Sequence, residues 1–118
     1  MIKVIIYDNM MGMKWKISFY SEKVEKRTLA FSAGILANFI HIVDMMEDLG
    51  PSLGEPYTKA FGNGLFEIRA RGKEGIGRSF FGTLKGREII ILHSFVKKSQ
   101  KTPQKEIKVA TKRLKKVK

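Results

Sequence analysis

The chain has 118 residues, and its 23 lysines and arginines outnumber 11 aspartates and glutamates, so the formal net charge at pH 7 is +12. That length fits one domain, residues 1–118, with a hydrophobic core of its own. The sequence contains no cysteine, which excludes disulfide frameworks, thiolate zinc sites and thiol nucleophiles. The most apolar window, residues 33–46, is interrupted by polar residues and is too short to span a membrane. We therefore expect a cytoplasmic protein with no membrane partner.

The positive charge is concentrated at one end of the chain. Residues 97–118 contain ten of the basic residues and a single acid, Glu106, and so carry +9 of the net charge. Such asymmetry is typical of proteins that bind a polyanion, most often a nucleic acid. A solubilising surface is the alternative interpretation.

Residues 14–50 predict one strand followed by two helices. Apolar and polar residues alternate over residues 14–20, as in a half-buried strand. Ser21 and Ser32 are suited to cap two helices, and Gly50 with Pro51 ends the second. The second helix has a thick apolar face that we expect to be core, formed by Ile35, Leu36, Phe39, Ile40, Ile42, Val43, Met46 and Leu49.

Glycine-bearing turns then separate three predicted strands in an antiparallel meander, over residues 65–71, 78–84 and 88–95. In the first of them Glu67, Arg69 and Arg71 share one face, opposite an apolar one. Arg78 opens the next strand and could lie across the hairpin beside Arg71, although the sequence does not determine the register.

The third strand runs into the basic end of the chain through His93 and the lysines of residues 97–101. Thr102 is predicted to cap a last helix that has Pro103 at its first position. This helix is basic and carries a narrow apolar stripe of Ile107, Ala110, Leu114 and Val117.

Three segments of the sequence are similar to a known family: LGPSLGEPY at 49–57, GNGLFEIR at 62–69 and LHSFVKKSQKTP at 92–103. On these segments the chain, from about residue 14 to residue 118, resembles the RelE/ParE toxin superfamily, in particular the phage-derived HigB-like branch of type II toxin-antitoxin systems. The resemblance implies an α+β fold, with two N-terminal helices packed on a small twisted antiparallel sheet and a basic C-terminal helix.

The same resemblance implies a function and its partners. It implies an endoribonuclease that cleaves mRNA on the ribosome and so inhibits translation. It also implies neutralisation by a cognate antitoxin, which usually carries a helix-turn-helix domain; the charge of +12 predicts that this antitoxin presents an acidic contact surface. No cofactor and no metal is expected. Two alternatives stay open: a ParE-like inhibitor of DNA gyrase, and a nucleic-acid-binding module without catalysis.

Basic residues of the family's site match positions on the predicted sheet and its loops. Arg69 and Arg71 match a basic pair on the strand after the first hairpin, Arg78 matches the arginine at the start of the next strand, and Lys97 with Lys98 matches the pair after the last strand. Arginines suit the stabilisation of extra charge on a pentavalent phosphorus, because they stay charged and grip phosphate oxygens, but they are poor proton acceptors. Together with these lysines, the expected RNA contacts are Lys101 and Lys105.

Cleavage also needs a group that removes a proton from a ribose 2′-OH. His93 is the preferred candidate, because an imidazole exchanges protons near neutral pH, although a histidine at a strand end is often held by a structural hydrogen bond. Glu67 and a lysine among residues 97–101 are the other candidates, and Glu67 is more readily explained by an ion pair with Arg69 or Arg78. RelE-type toxins commonly use a tyrosine near the C-terminus, whereas this sequence has none after Tyr57.

The first 13 residues lie outside the resemblance. Residues 2–7 predict an edge strand added to the sheet. An N-terminal extension that results from an early translation start is the other interpretation.

Overall fold

The computed structural model describes residues 14–97 and 101–118, together with the backbone of residues 2–5. Within these residues six strands and three helices follow in chain order: β1 (Ile2–Ile5), β2 (Lys16–Phe19), α1 (Glu22–Leu29), α2 (Ala33–Leu49), β3 (Thr58–Gly62), β4 (Leu65–Gly72), β5 (Gly75–Leu84), β6 (Glu88–Lys97) and α3 (Gln104–Val117). The expected α+β class and the C-terminal helix are confirmed.

The strands form one twisted sheet in the order β1-β2-β6-β5-β4-β3. All neighbours pair antiparallel except β2 and β6, which are parallel. The sheet is therefore mixed rather than wholly antiparallel as expected, because the two helices and the β3–β5 meander form a long crossover between β2 and β6. The predicted N-terminal edge strand is present over Ile2–Ile5, where it pairs with β2; residues 6–13 lie outside the described part.

The helix ends follow the predictions in part. Ser21 caps α1 by accepting a hydrogen bond of 3.2 Å from the helix backbone, and α2 ends at Gly50, whose φ of +82° favours glycine. Ser32 precedes α2 without a side-chain bond. Instead Glu74 caps this helix by accepting from the backbone N–H of Gly34 at 3.2 Å. No single helix in the described residues is long and apolar enough to cross a membrane, and α1 with α2 reaches that length and composition only as a pair bent by 119°.

Helices cover both faces of the sheet, so the protein has two apolar layers. The layer beneath α1 and α2 is formed by Ile17, Phe19, Val24, Phe31, Ile35, Phe39, Ile42, Val43, Met46, Ile68, Ala70, Phe81, Ile89 and Ile91. The layer beneath α3 is smaller and consists of Leu65, Phe80, Ile90, Leu92, Ala110 and Leu114. The predicted apolar stripe of the last helix is thus its sheet-facing side.

Candidate active site

The sheet face beneath α3 brings together the charged residues that the sequence singled out. Arg69 pairs with Arg78, and Arg78 pairs on its other side with Phe95. One row further along, Glu67 lies in line with His93 across β5. Arg78 is an inner residue of β5, which begins at Gly75, so its neighbour is Arg69 and not Arg71.

A β-bulge in β6 aims two consecutive side chains at α3. The register between β5 and β6 shifts after Phe80, which pairs with His93, and Leu92 is the extra residue. Leu92 packs in the apolar layer beneath α3, while the ring of His93 contacts the same helix. Arg113 of α3 donates to the carbonyl oxygen of Leu92 at 2.7 Å. The bulge therefore redirects His93, as bulges near functional sites commonly do.

Glu67 is the centre of a buried ionic cluster. Its Oε1 accepts from Arg69 Nε at 2.7 Å and from Arg78 Nη1 at 3.3 Å. Its Oε2 accepts from the hydroxyl of Thr102 at 2.9 Å, and the same hydroxyl accepts from Arg78 Nη1 at 3.0 Å. The expected ion pair of Glu67 with Arg69 or Arg78 is confirmed, and it involves both arginines.

The prediction that Thr102 caps the last helix is wrong. The residue at the N-terminal boundary of α3 is Pro103, without a side-chain cap. The hydroxyl of Thr102 is instead directed into the sheet, since Arg78 and Glu67 are buried charged groups that need hydrogen-bond partners. Thr102 thus joins the segment before α3 to the centre of the sheet.

The cluster is positively charged, with two guanidinium groups against one carboxylate. Arg78 and Glu67 are both 0% exposed and Arg69 is 7% exposed. The pKa of Arg78 lies below its ordinary value, chiefly because burial disfavours its charged form; Glu67 opposes this effect, and Arg69 and Arg71 add to it. Because guanidinium groups remain protonated in proteins, an excess positive charge lies just beneath the surface.

His93 is held by a carboxylate and not by the backbone. Its Nε2 lies 2.6 Å from Glu106 Oε1, in the first turn of α3. The ring also stacks on Phe95, with 5.7 Å between centroids. The side chain of His93 is 9% exposed and that of Glu106 is 20% exposed. A carboxylate accepts a hydrogen bond, so Nε2 carries the proton in the neutral ring and the lone pair is on Nδ1.

The remaining predicted residues form a basic rim at the edge of this face. Arg71 and Lys97 are exposed and lie in one cross-strand row, on either side of Ile76. Lys101 and Lys105 are also exposed, immediately before and within the start of α3. Lys98 lies outside the described residues. The rim therefore presents fixed positive charge beside the buried cluster and the His93-Glu106 pair.

Two members of the site were not assigned by sequence reasoning, namely Glu106 and, in its actual role, Thr102. A signal for Glu106 was present, because it is the only acid among 22 residues otherwise rich in lysine. A lone acid in a basic helix indicates a specific partner. No comparable signal marks Thr102, because the sequence Thr-Pro before a helix is equally typical of a cap.

The charged face differs from the other concave features of the molecule. An open cavity near the other end of α3 is lined by Thr83, Leu84, Lys85, Glu88, Val117 and Lys118, and it contains none of the residues above. Among the residues that the structure describes, no group of three or more histidines, aspartates and glutamates is placed to hold a metal ion. The face carries cations, one imidazole and the carboxylates of Glu67 and Glu106.

This arrangement of helices and sheet has a counterpart among solved structures. The fold is similar to that in the crystal structure of the archaeal RelE-RelB complex from Pyrococcus horikoshii OT3, with a TM-score of 0.52 and 20% sequence identity, over 71% of this chain and 96% of that chain. The chain therefore has a RelE-like fold. A search of curated proteins finds no match.

The family follows from the sequence itself. The family model described as "Phage derived protein Gp49-like (DUF891)" matches residues 26–115. The chain belongs to this Gp49-like, phage-derived family, which confirms the resemblance to RelE-like and HigB-like toxins of toxin-antitoxin systems.

Proposed function

We propose that this protein is an endoribonuclease toxin that cleaves mRNA on the ribosome and so inhibits translation. The observation that carries the proposal is the His93-Glu106 pair, 2.6 Å apart and in line with the cationic cluster around Glu67. An acid/base group beside fixed positive charge is the combination that cleavage of a phosphodiester requires.

The proposed reaction uses the 2′-OH of the RNA as nucleophile. Nδ1 of His93 takes the 2′ proton, the 2′-oxygen forms a bond to phosphorus, and the bond from phosphorus to the 5′-oxygen breaks. The 5′-oxygen then takes a proton from water, His93 returns its proton to solvent, and a 2′,3′-cyclic phosphate remains. The base must hold its lone pair towards the RNA, and the hydrogen bond from Nε2 to Glu106 enforces that tautomer. Glu106 is thus a positioning residue.

The cations have separate roles in this proposal. Arg71 and Lys97, on the exposed rim, contact phosphates of the bound strand, as do Lys101, Lys105 and, by family resemblance, Lys98. Arg69 and Arg78 act from beneath the surface, where their charge favours the pentavalent phosphorus and Glu67 keeps them in place.

The two histidines of the chain offer a matched test. We expect His93→Gln to lower the rate of mRNA cleavage by about 10²- to 10⁴-fold, because it removes the base. His41→Gln changes a histidine on the exposed side of α2 and leaves cleavage unchanged. The assay maps mRNA 5′ ends after induction in cells, with DNA supercoiling measured in parallel. Intact mRNA together with inhibited gyrase would disprove the proposal in favour of the ParE-like alternative.

The role of Glu106 is tested by a double-mutant cycle. Glu106→Gln should lower kcat by about tenfold or more with little change in KM, because an uncharged amide can donate as well as accept and so holds the base less firmly in the productive tautomer. In the His93→Gln background the same change should add no further loss. Glu55→Gln, at an exposed loop position, is the control with an equal change of charge. Additive losses would show that Glu106 acts independently of His93.

We also propose that the cognate antitoxin covers the basic rim with an acidic segment, and that it carries a helix-turn-helix domain. The support is the exposed positive charge of Arg71, Lys97 and Lys101 on the proposed cleaving face. A structure of the complex in which a neutral or basic segment contacts this rim would contradict the proposal.

A further inference from the structure

The outward side of α3 is a surface of a single chemical type. Apart from Gln104, every exposed residue of this helix is a lysine: Lys105, Lys108, Lys112, Lys115 and Lys116. Lys105 lies beside the proposed cleavage site. The other four, Lys108, Lys112, Lys115 and Lys116, are named here the lysine stripe.

Helical geometry places the lysine stripe on one side of α3. At about 100° per residue, its four side chains project within an arc of roughly 100° and extend over about 12 Å along the axis. Ala110 and Leu114 lie on the opposite side and are buried against the sheet. The helix is therefore anchored with its lysines turned to solvent.

The charge of the stripe is not balanced within α3. Glu106 is the only acid of this helix, and its carboxylate contacts His93. Arg113, the other basic side chain, is directed inwards, to the carbonyl of Leu92 and over the ring of Tyr20 at 5.1 Å. Four like charges held side by side repel one another, so the surface gains most from an anion that is itself extended and multiply charged.

The composition of the stripe restricts the kind of anion. No aromatic side chain is exposed on α3, so the stacking platform on which single-stranded bases bind is missing from this helix. The exposed residues of the helix also include no apolar one that could serve as a central anchor for a protein partner. Lysines bind phosphates as point charges, independently of base sequence. These features favour the regular phosphate backbone of a duplex.

We propose that the lysine stripe docks the phosphate backbone of an RNA duplex, as a binding surface separate from the cleaving face. The choice of RNA over DNA rests on the proposed function. Since α3 begins at the His93-Glu106 pair, a duplex on its outer side lies next to the strand that is cleaved. Duplex RNA is recognised mainly through its backbone and shape, which a sequence-independent lysine stripe provides.

The test compares two quadruple variants of equal net charge. In the stripe variant Lys108, Lys112, Lys115 and Lys116 are changed to Gln; in the control variant the exposed residues Lys23, Lys26, Lys73 and Lys85 are changed to Gln. Binding of a short mixed-sequence RNA duplex is measured by fluorescence anisotropy over a salt series. The salt slope, d log K/d log[salt], of the stripe variant should fall in magnitude by about 3, because roughly 0.7 to 0.9 is lost for each phosphate contact.

Further arms of the experiment identify the partner. Changing the stripe lysines to Arg should retain the affinity, and thermal unfolding of each variant shows that it is folded. The proposal is overturned if the control variant loses as much affinity as the stripe variant, or if the wild type binds a DNA duplex more tightly than the RNA duplex. It is also overturned if the stripe variant still binds duplex RNA but no longer binds a polyglutamate peptide. That result would assign the surface to an acidic protein. Duplex binding is read without cleavage, so a failure of the proposed nuclease activity is seen separately, as intact mRNA with the wild type.

Discussion

The sheet buries two faces whose polar groups are of different kinds. Beneath α1 the polar contacts are made by neutral hydroxyls, from Thr28 through Ser94 to Ser79, with oxygen-oxygen distances of 2.6 and 2.8 Å. Beneath α3 they are made by ionised groups, centred on Glu67 and Arg78. Removing charges from water costs more than burying hydroxyls, and an ion pair recovers that cost only with good geometry. The face beneath α3 thus contains buried charged groups that must keep their partners in place, and such groups are typical of a functional site.

The largest effect is expected where one partner of the buried ions is neutralised. Glu67→Gln leaves Arg78 buried without its counter-charge, and we expect a loss of about 3–5 kcal/mol in the free energy of unfolding. Urea unfolding measures it, with Glu55→Gln as the control for a surface carboxylate. A loss below about 1 kcal/mol, as for a solvent-exposed ion pair, would show that the cluster is hydrated in solution.

Two buried threonines, one on each face, allow the contributions of their hydroxyl groups to stability to be compared directly. Thr102→Val removes hydrogen bonds to charged partners and should cost about 1.5–3 kcal/mol, whereas Thr28→Val removes bonds to the neutral Ser94 and should cost about 0.5–1.5 kcal/mol. Both residues are buried. Equal costs, measured by the same urea unfolding, would contradict the distinction between the two faces.

Two glycines of β5, one facing each apolar layer, allow the tightness of packing in the two layers to be compared. A Cβ at Gly77 would lie 2.5 Å from Ile35 Cγ2 and 3.0 Å from Phe31 Cζ. A Cβ at Gly82 would lie 2.5 Å from Leu114 Cδ1, the end of a flexible side chain. We expect Gly77→Ala to cost about 1–3 kcal/mol and Gly82→Ala to cost less, because leucine can adopt another rotamer more readily than β-branched Ile35. Thermal unfolding of the two variants ranks them; a greater loss for Gly82→Ala would show that α3 is the more rigidly packed helix.

The smallest effect concerns Glu47, the one buried charged residue of α2. Its pKa is raised, first by burial and also by Asp44 and Asp48, while Lys14 lowers it. The folded state therefore binds the proton more tightly than the unfolded state. The resulting stability is fully present below the unfolded pKa and is lost as the pH rises through the folded pKa.

Glu47→Gln should accordingly be more stable than the wild type at pH 7, by up to about 1 kcal/mol. Near about pH 3, more than one unit below the ordinary glutamate pKa, the wild-type carboxyl is protonated in both states and the difference should disappear. Urea unfolding at the two pH values measures this change. A variant that is less stable at pH 7 would show that the Glu47 carboxylate makes a favourable contact.

Much of the fold follows from local pattern. The period of two in residues 14–20 and the period of 3.6 in the second helix place most of their apolar residues in one layer, because each period sets the face on which a side chain lies. Ile40 and Leu49, which the same pattern assigned to the core, are instead 48% and 69% exposed. Gly50 ends its helix because a positive φ is inexpensive only for glycine. The alternation of Glu67, Arg69 and Arg71 likewise indicates that these three side chains share a face.

The sequence by itself therefore determined the three helices, the strands other than β3, the family and the residues that face away from α1 and α2. Only the tertiary structure decided that β2 pairs parallel with β6, that Arg78 lies opposite Arg69, and that Glu106 reaches His93. The physical reason is that local patterns report the face of each element, whereas pairing register and the docking of α3 depend on contacts between residues far apart in the chain. For the same reason Thr102, a cap by its local sequence, became the partner of Glu67 and Arg78 when α3 packed on the sheet.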